Sequence, residues 1–158
     1  MKTVRMMIFF VVGLQFVLAG SSQLKNFREL MDALKTGESV RVVIHYGKCE
    51  LVSNNQRQDR SPDAIGGMNL DTFEWFAEKL YGNETAFVVA SESKLIENPK
   101  GEGYVYNYAK IRVYADNRVR IIARYIDPLT MEELMDESFY SKINDEQNDG
   151  AVFFYRQK

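Results

Sequence analysis

The chain has 158 residues, with 20 basic and 22 acidic side chains and a formal net charge of −2. A protein that binds nucleic acid non-specifically needs an excess of cations to displace counterions, so this balance argues against that class. The length is enough for one domain with its own hydrophobic core.

The N-terminus has the composition of a secretory signal peptide. Lys2 and Arg5 precede an apolar run over residues 6–19, which is shorter than the roughly 20 residues that span a bilayer. We therefore expect residues 1–20 to be removed as a signal peptide and residues 21–158 to form one secreted, extracellular domain. Loss of the two cations takes the net charge from −2 to near −4. No later segment is apolar enough to predict a membrane span.

One amphipathic helix is predicted near the start of this domain. Asn26 with Glu29 is typical of a capping box, and Gly37 stands where a left-handed C-cap is expected. Apolar side chains recur at helical spacing between them, which predicts a helix over residues 27–36. The period then changes to two, and residues 40–46 are predicted to be the first strand.

The rest of the domain reads as strands joined by short turns. Residues 53–65 are polar and are predicted to be a mobile loop that ends near Gly66-Gly67. Alternation predicts the remaining strands over residues 68–77, 86–93, 104–114, 119–126, 135–143 and 151–155. A turn at Asn98–Gly101 separates the strand over residues 86–93 from the strand over residues 104–114. The predicted fold class is α+β, with the helix packed on a curled antiparallel β-sheet or half-barrel of about seven strands.

The strands over residues 104–114 and 119–126 form the clearest hairpin. We predict a three-residue loop, Asp116–Arg118, because it pairs Val113 with Ile121 and keeps the aliphatic side chains on one face. This register collects the aromatic and basic side chains on the opposite face, here called the tyrosine face: Tyr104, Tyr106, Tyr108, Lys110, Arg112, Tyr114, Arg120 and Arg124.

The tyrosine face is the first candidate for ligand binding. Tyrosine rings offer rigid apolar area, and arginine offers charge-assisted hydrogen bonds, which suits a carbohydrate, a small anionic ligand or an extracellular protein. The predicted ligand-binding residues are Tyr104, Tyr106, Tyr108, Arg112, Arg124 and Trp75. The alternative is that the helix packs over the tyrosine end of this face while the cations line its rim.

His45 and Cys49 are the only residues of their types in the chain. Residues four apart in a strand lie about 13 Å apart, which is too far for an imidazole to deprotonate a thiol. We therefore predict that Cys49 is a buried small hydrophobic residue in a monomer, the alternative being an exposed thiol that links a dimer through a disulfide. One histidine and one cysteine cannot supply a structural zinc site, and neither a metal nor a cofactor is predicted.

Two further features bear on function. Asn83-Glu84-Thr85 is a glycosylation sequon, so Asn83 is a glycosylation candidate in a eukaryotic host. Carboxylates alone can support hydrolysis. The candidates for such chemistry are Asp71, Glu74, Asp127, Asp136 and Glu137.

Two stretches resemble the VirK family: FRELMDALKTGESVRVVIHYGKC, Phe27 to Cys49, and IGGMNLDTFEWF, Ile65 to Phe76. The family resembles this chain in order, with a signal peptide, a helix, a strand ending in Lys-Cys and a Gly-Gly element that leads into a strand. The resemblance extends over most of the mature chain. It implies an exported protein with Lys48-Cys49 and Gly66-Gly67 as structural positions, and it supplies no activity, cofactor or catalytic residue.

These observations favour a secreted, non-catalytic binding or interaction protein. The alternatives are a structural component of an extracellular secretion or matrix and a small hydrolase that uses carboxylates or Cys49. A cavity beside Tyr104, Tyr106 and Arg124 would favour the binding protein. A convex and fully packed sheet would favour the structural component. Two carboxylates about 5–10 Å apart in a cleft would favour the hydrolase.

Overall fold

The structure is a computed structural model and describes residues 22–157, so the predicted signal peptide lies outside the described residues. Its elements are β1 (Ser22–Leu24), α1 (Phe27–Lys35), β2 (Val40–His45), a 3-10 turn (Tyr46–Lys48), β3 (Glu50–Ser53), β4 (Gln56–Arg57), β5 (Ile65–Asn69), β6 (Phe73–Phe76), β7 (Phe87–Glu97), β8 (Tyr104–Tyr114), β9 (Arg118–Ile126), β10 (Glu133–Lys142) and β11 (Val152–Arg156).

The strands form two antiparallel sheets. The small sheet has the order β1-β11-β2-β5, and the large sheet has the order β4-β3-β10-β9-β8-β7-β6. Strands account for 52% and helices for 9% of the structure. The predicted α+β class, with a helix on one curled sheet or half-barrel of about seven strands, is therefore wrong. The fold is mostly β with one short helix, and the strands predicted to belong to one sheet divide between two sheets.

Two local segments differ in detail from their predictions. The segment over residues 68–77, predicted to be one strand, is broken over Leu70–Thr72, so that β5 belongs to the small sheet and β6 to the large one. Residues 53–65, predicted to be irregular, begin with a tight hairpin between β3 and β4. Asn54 and Asn55 turn it with φ values of 51° and 59°, a left-handed pair that asparagine tolerates.

Helix α1 agrees with its prediction to within one residue at its C-terminus. The Asn26 side chain accepts a hydrogen bond from the Glu29 N–H at 3.0 Å, as in the expected capping box. The Glu29 carboxylate reaches back to the Asn26 Nδ2 at 2.7 Å and to the Lys25 N–H at 2.8 Å, which makes this a variant of that motif. The Phe27 N–H donates to Asn117 Oδ1 at 2.7 Å, so the helix starts beside the β8–β9 turn. Its buried side chains join a core shared by both sheets: Leu30, Met31, Ala33 and Leu34. The helix therefore packs on the inner side of the sheets and does not cover the tyrosine face.

The β8–β9 hairpin confirms the predicted faces but not the predicted pairs. Val113 pairs with Val119 rather than Ile121, so the three-residue loop is Ala115–Asn117. Asn117 takes the left-handed position with φ 68°, which asparagine adopts more readily than arginine does. Because the register moves by two residues, every side chain stays on its predicted face.

The inner face of the large sheet changes along its strands from filled to open. One row across β7 to β10 is Ala90, Ile111, Ile121 and Phe139, all buried. The next row, farther from the β8–β9 turn, is Glu92, Ala109, Ala123 and Glu137, and the row beyond it is Lys94, Asn107, Tyr125 and Met135. The small sheet covers the first row, and its edge strand β5 stands at the boundary of the open rows. Within residues 22–157, no helix is long and apolar enough to cross a membrane.

Candidate functional site

A cavity of about 500 Å³, here called the end cavity, opens between the sheets at the end of the large sheet away from Asn117. Its floor includes Ala109 and Ala123, which take the places that Ile111 and Ile121 hold one row earlier. Two alanines side by side remove the volume that would otherwise fill the space beneath β5. The size lies within the range of small-ligand pockets.

Glycines shape the roof of the end cavity. A Cβ on Gly66 would lie 2.8 Å from the Tyr46 ring, and a Cβ on Gly67 would lie 2.6 Å from the Val42 carbonyl oxygen. Both distances are too short for a real side chain, so this strand approaches β2 and the Tyr46 ring only because it has none there. The Tyr46 ring in turn packs on Phe139 with 4.6 Å between ring centroids, at the inner end of the cavity.

Two lysine–glutamate pairs lie on opposite sides of the cavity. Lys94 Nζ is 2.8 Å from Glu92 Oε1, and Lys100 Nζ is 3.6 Å from Glu137 Oε1. The Lys100 ammonium also lies 5.7 Å from the centre of the Tyr125 ring, close enough for a cation–π contact. These pairs give an otherwise apolar cavity a polar rim that carries both charges.

Burial perturbs the two tyrosines of the cavity. It raises the pKa of Tyr46 to about 12, with Cys49 and Tyr125 as smaller causes. Burial also raises the pKa of Tyr125, and the nearby Glu137 carboxylate adds to that effect. Both hydroxyls therefore stay protonated at neutral pH and are available as hydrogen-bond donors.

The edge strand β5 presents main-chain groups that no other strand uses. The Leu70 N–H donates to the Val40 carbonyl, and the Tyr46 N–H donates to the Ala64 carbonyl, both at 2.9 Å. In an antiparallel ladder this pattern directs the main-chain N–H and C=O groups of even-numbered β5 residues toward β2. The same groups of odd-numbered residues point away from β2. The N–H and C=O groups of Ile65, Gly67 and Asn69 therefore point to the free edge, and within residues 22–157 they have no hydrogen-bond partner.

The residues predicted to form the tyrosine-face site lie apart from this cavity. Tyr104 is 64% exposed, whereas Tyr106 and Tyr108 are half-buried on the outer face of the large sheet. Arg124 is neutralised by Glu133 at 2.8 Å and by Asp136 at 3.0 Å. None of these side chains lines the end cavity.

The other two predicted binding residues are separated from each other as well. Arg112 lies on the outer face with its guanidinium 4.4 Å from the centre of the Phe87 ring. Trp75 pairs with Val88 on the inner face and lies under Lys35, whose ammonium is 5.6 Å from the ring centre. The structure therefore does not bring the six predicted residues together at one site.

His45 and Cys49 point in different directions. The His45 ring packs on Phe153 with 5.1 Å between centroids, on the outer side of the small sheet. The Cys49 side chain is buried in the core, and its thiol lies 3.6 Å from the His45 carbonyl oxygen rather than next to the imidazole. Burial raises the pKa of Cys49 to about 11. This thiol lacks the adjacent base that activates a nucleophile.

The candidate carboxylates are dispersed. Glu137 is the one of the five that lines the end cavity, and the nearest acid across the floor is Glu92. Their strands are three spacings apart, so their backbones are separated by about 14 Å. Among residues 22–157, no three His, Cys, Asp or Glu side chains are placed to hold a metal ion.

The Asn83 carboxamide serves the fold of its own loop. Its Nδ2 donates to the Ala77 carbonyl at 2.8 Å and to the Thr85 carbonyl at 3.0 Å, while its Oδ1 is buried. A glycan attached to Nδ2 would displace one of these hydrogen bonds. Glycosylation of Asn83 stays a prediction.

Sequence reasoning missed the end cavity. The signal for it was a pair of alanines, Ala109 and Ala123, each next to an inner-face isoleucine, Ile111 or Ile121, in its own strand. A second signal was Gly66-Gly67 inside a strand, which is typical of a close backbone approach. Neither signal identifies a cavity until the register sets the two alanines side by side.

The fold and the cavity define a mostly β, two-sheet protein with an open, ligand-sized end. The sequence model of the VirK protein family matches residues 23–131, and the chain belongs to the VirK family, as its resemblance indicated. Among solved structures it is similar to a VirK family protein from Legionella pneumophila. The two chains are 17% identical with a TM-score of 0.61, over 84% of this chain and 97% of that one, so they share the fold. No curated protein sequence matches the chain.

Proposed function

We propose that this VirK family chain is a secreted, non-catalytic binding protein whose ligand occupies the end cavity. The observation that carries the proposal is a cavity of about 500 Å³ whose floor is opened by Ala109 and Ala123. Pockets of this size with an apolar lining and a few polar groups are typical of ligand sites. The leader-like composition of residues 1–20 supports secretion.

The unpaired edge of β5 favours an extended polypeptide as the ligand. Three residues of β5 offer free main-chain donors and acceptors along the cavity, and an added strand would satisfy them. Soluble proteins normally protect such an edge with charge or proline, but β5 has neither in its sequence IGGMN. By contrast, the edge strand β4 is only two residues long and contains Arg57.

The floor suits alternate side chains of such a strand. Ala109, Ala123 and Met135 would receive the apolar side chains that point inward, and the Lys94–Glu92 and Lys100–Glu137 pairs would meet polar groups at either side. The ligand class is thus a segment of an extracellular protein with alternating apolar residues.

The test is selection from a random-peptide phage library on the purified protein, with Ala123→Phe as the counter-selection target. Phenylalanine at this position fills the floor, while Ala115→Phe makes the same change in the exposed β8–β9 turn and is the matched control. We expect enriched peptides with alternating apolar residues that bind the wild type and Ala115→Phe. Binding to Ala123→Phe should be at least about tenfold weaker. Thermal unfolding of both variants checks that each is folded.

A second pair of variants tests strand addition. Ile65→Pro removes an N–H that points to the free edge and leaves the hydrogen bonds to β2 in place, whereas Ile65→Ala keeps that N–H. Peptide binding should be lost with proline and retained with alanine. Peptides that bind all variants equally would contradict the proposal. If peptides fail while anilinonaphthalene sulfonate binds the wild type but not Ala123→Phe, the cavity takes a small molecule and the peptide assignment is wrong.

A further inference from the structure

Two arginines oppose each other on the outer face of the large sheet. Arg112 of β8 and Arg120 of β9 are direct cross-strand partners, so their Cβ atoms lie about 5 Å apart. Like charges in this arrangement destabilise a sheet, because neither side chain can move far from the other. Some other feature must compensate for this repulsion.

Within residues 22–157, no carboxylate compensates for it. Two other arginines of this face are paired, Arg118 with Asp116 at 2.6 Å and Arg124 with Glu133 at 2.8 Å. Arg112 and Arg120 form no salt bridge with the described residues. Arg112 and Arg120 are therefore two directly opposed positive charges without a counterion among the described residues.

Aromatic rings hold both guanidinium groups in place. Arg112 stacks on Phe87 at 4.4 Å from the ring centre, and Arg120 lies 5.6 Å from the centre of the Tyr140 ring. The Arg120 Nε is buried without an acceptor, and the hydrogen bond from this side chain to Ser138 is long, at 3.4 Å. Fixed guanidinium groups with unused N–H donors are preorganised for an anion.

The two arginines line a groove of about 370 Å³ on this face. The hydroxyls of Thr85 and Tyr114 also line it and can donate to an oxyanion. Its one acidic residue, Glu84, is exposed and forms no salt bridge with either arginine. The groove thus combines two unneutralised cations with neutral donors.

We infer that this groove binds a tetrahedral oxyanion, a phosphate or a sulfate group, between Arg112 and Arg120. A guanidinium offers two parallel N–H groups that match two oxygens of such a group, and one anion between two guanidiniums replaces their repulsion with attraction. The site lies on the face opposite the end cavity, so it does not depend on the proposed peptide ligand.

The experiment is an NMR titration of the arginine Nε–H signals with inorganic phosphate and with inorganic sulfate, each against chloride at equal ionic strength. We expect the signals of Arg112 and Arg120 to move and that of Arg124 to stay. Arg112→Gln and Arg120→Gln should each weaken oxyanion binding at least about tenfold. Arg112→Lys keeps the positive charge but loses the two parallel N–H groups of the guanidinium, and should bind the oxyanion more weakly than the wild type. Arg124→Gln, whose cation is already neutralised, is the matched control and should bind like the wild type.

The outcomes separate the possibilities. Shifts that chloride reproduces at equal ionic strength, or that Arg124→Gln loses to the same extent as Arg112→Gln, would overturn the inference, because they would show general screening of a basic surface. A wild type that prefers phosphate over sulfate assigns a phosphate ester as the source of the group, and the reverse preference assigns a sulfate ester. Thermal unfolding in chloride alone checks that each variant is folded.

Discussion

The Cys49 thiol should be almost unreactive in the folded protein. Burial raises its pKa from an ordinary 9.0 to about 11. At about pH 8, roughly a tenth of ordinary thiols are thiolate, but only about one in a thousand Cys49 side chains would be. Since the thiolate is the reactive form, we expect the folded protein to react with a disulfide reagent about a hundredfold more slowly than the unfolded chain. The 8% exposure of Cys49 slows the reaction further.

The assay compares the rate of thiol release with and without denaturing urea, and runs the same protein on a gel without reductant. We expect slow labelling, full labelling after unfolding, and a monomer. Labelling at the unfolded rate without urea, or a dimer that dissociates on reduction, would refute the assignment of Cys49 to the core and revive the disulfide-linked dimer.

The same pKa shift predicts alkaline destabilisation. An acid whose pKa is raised on folding holds its proton more tightly in the folded state, so its contribution to stability is present below pH 9 and is lost as the pH rises toward 11. A shift of about two units corresponds to ~2–3 kcal/mol. Tyr46, raised from 10.0 to about 12, has the same sign over a higher window. Urea unfolding from pH 8 to 11 should show this loss of stability. In Cys49→Ala, the part of the loss between about pH 9 and 11 that comes from Cys49 should disappear.

Three substitutions test the structural assignments by urea unfolding. Gly67→Ala should cost about 1–3 kcal/mol, because its Cβ would lie 2.6 Å from the Val42 carbonyl oxygen; an unchanged midpoint would contradict the close approach of β5 to β2. Asn117→Ala should cost about 2 kcal/mol, since it strains a left-handed turn and removes the acceptor of the Phe27 N–H, whereas Asn117→Gly should cost about half as much. Asn83→Ala, in protein made without glycans, should cost about 1–3 kcal/mol for two lost hydrogen bonds; a neutral effect would leave the Asn83 side chain free to carry a glycan.

Several elements were predictable because their signals are local. The capping box of Asn26 and Glu29 marks the start of α1 in any context. The strand β8 was predicted with its observed bounds, Tyr104–Tyr114, because its alternation is unbroken. The division of the β8 and β9 side chains into two faces followed from the same alternation. The Phe27–Cys49 and Ile65–Phe76 motifs indicated the family correctly.

Other elements were not predictable from local signals. A break of three residues, Leu70–Thr72, separates β5 from β6, and nothing in those residues shows that the chain changes sheets there. The three residues of β1 form a strand because β11 offers a partner that is distant in sequence. The sequence pointed to the tyrosine face, whose aromatic and basic side chains are visible as a pattern. It did not point to the end cavity, because that cavity forms where Ala109 and Ala123 leave space beneath β5.

The sequence by itself determined the helix, the strand periods and the family, because each depends on residues that are close together in the chain. The signal peptide stays a prediction from the same kind of local pattern. The tertiary structure alone decided that the strands form two sheets, that α1 fills the core away from the tyrosine face, and that Ala109 and Ala123 lie side by side beneath β5. It also placed Arg112 against Arg120. These features depend on strand order and register, which are set by the packing of distant segments rather than by any local pattern.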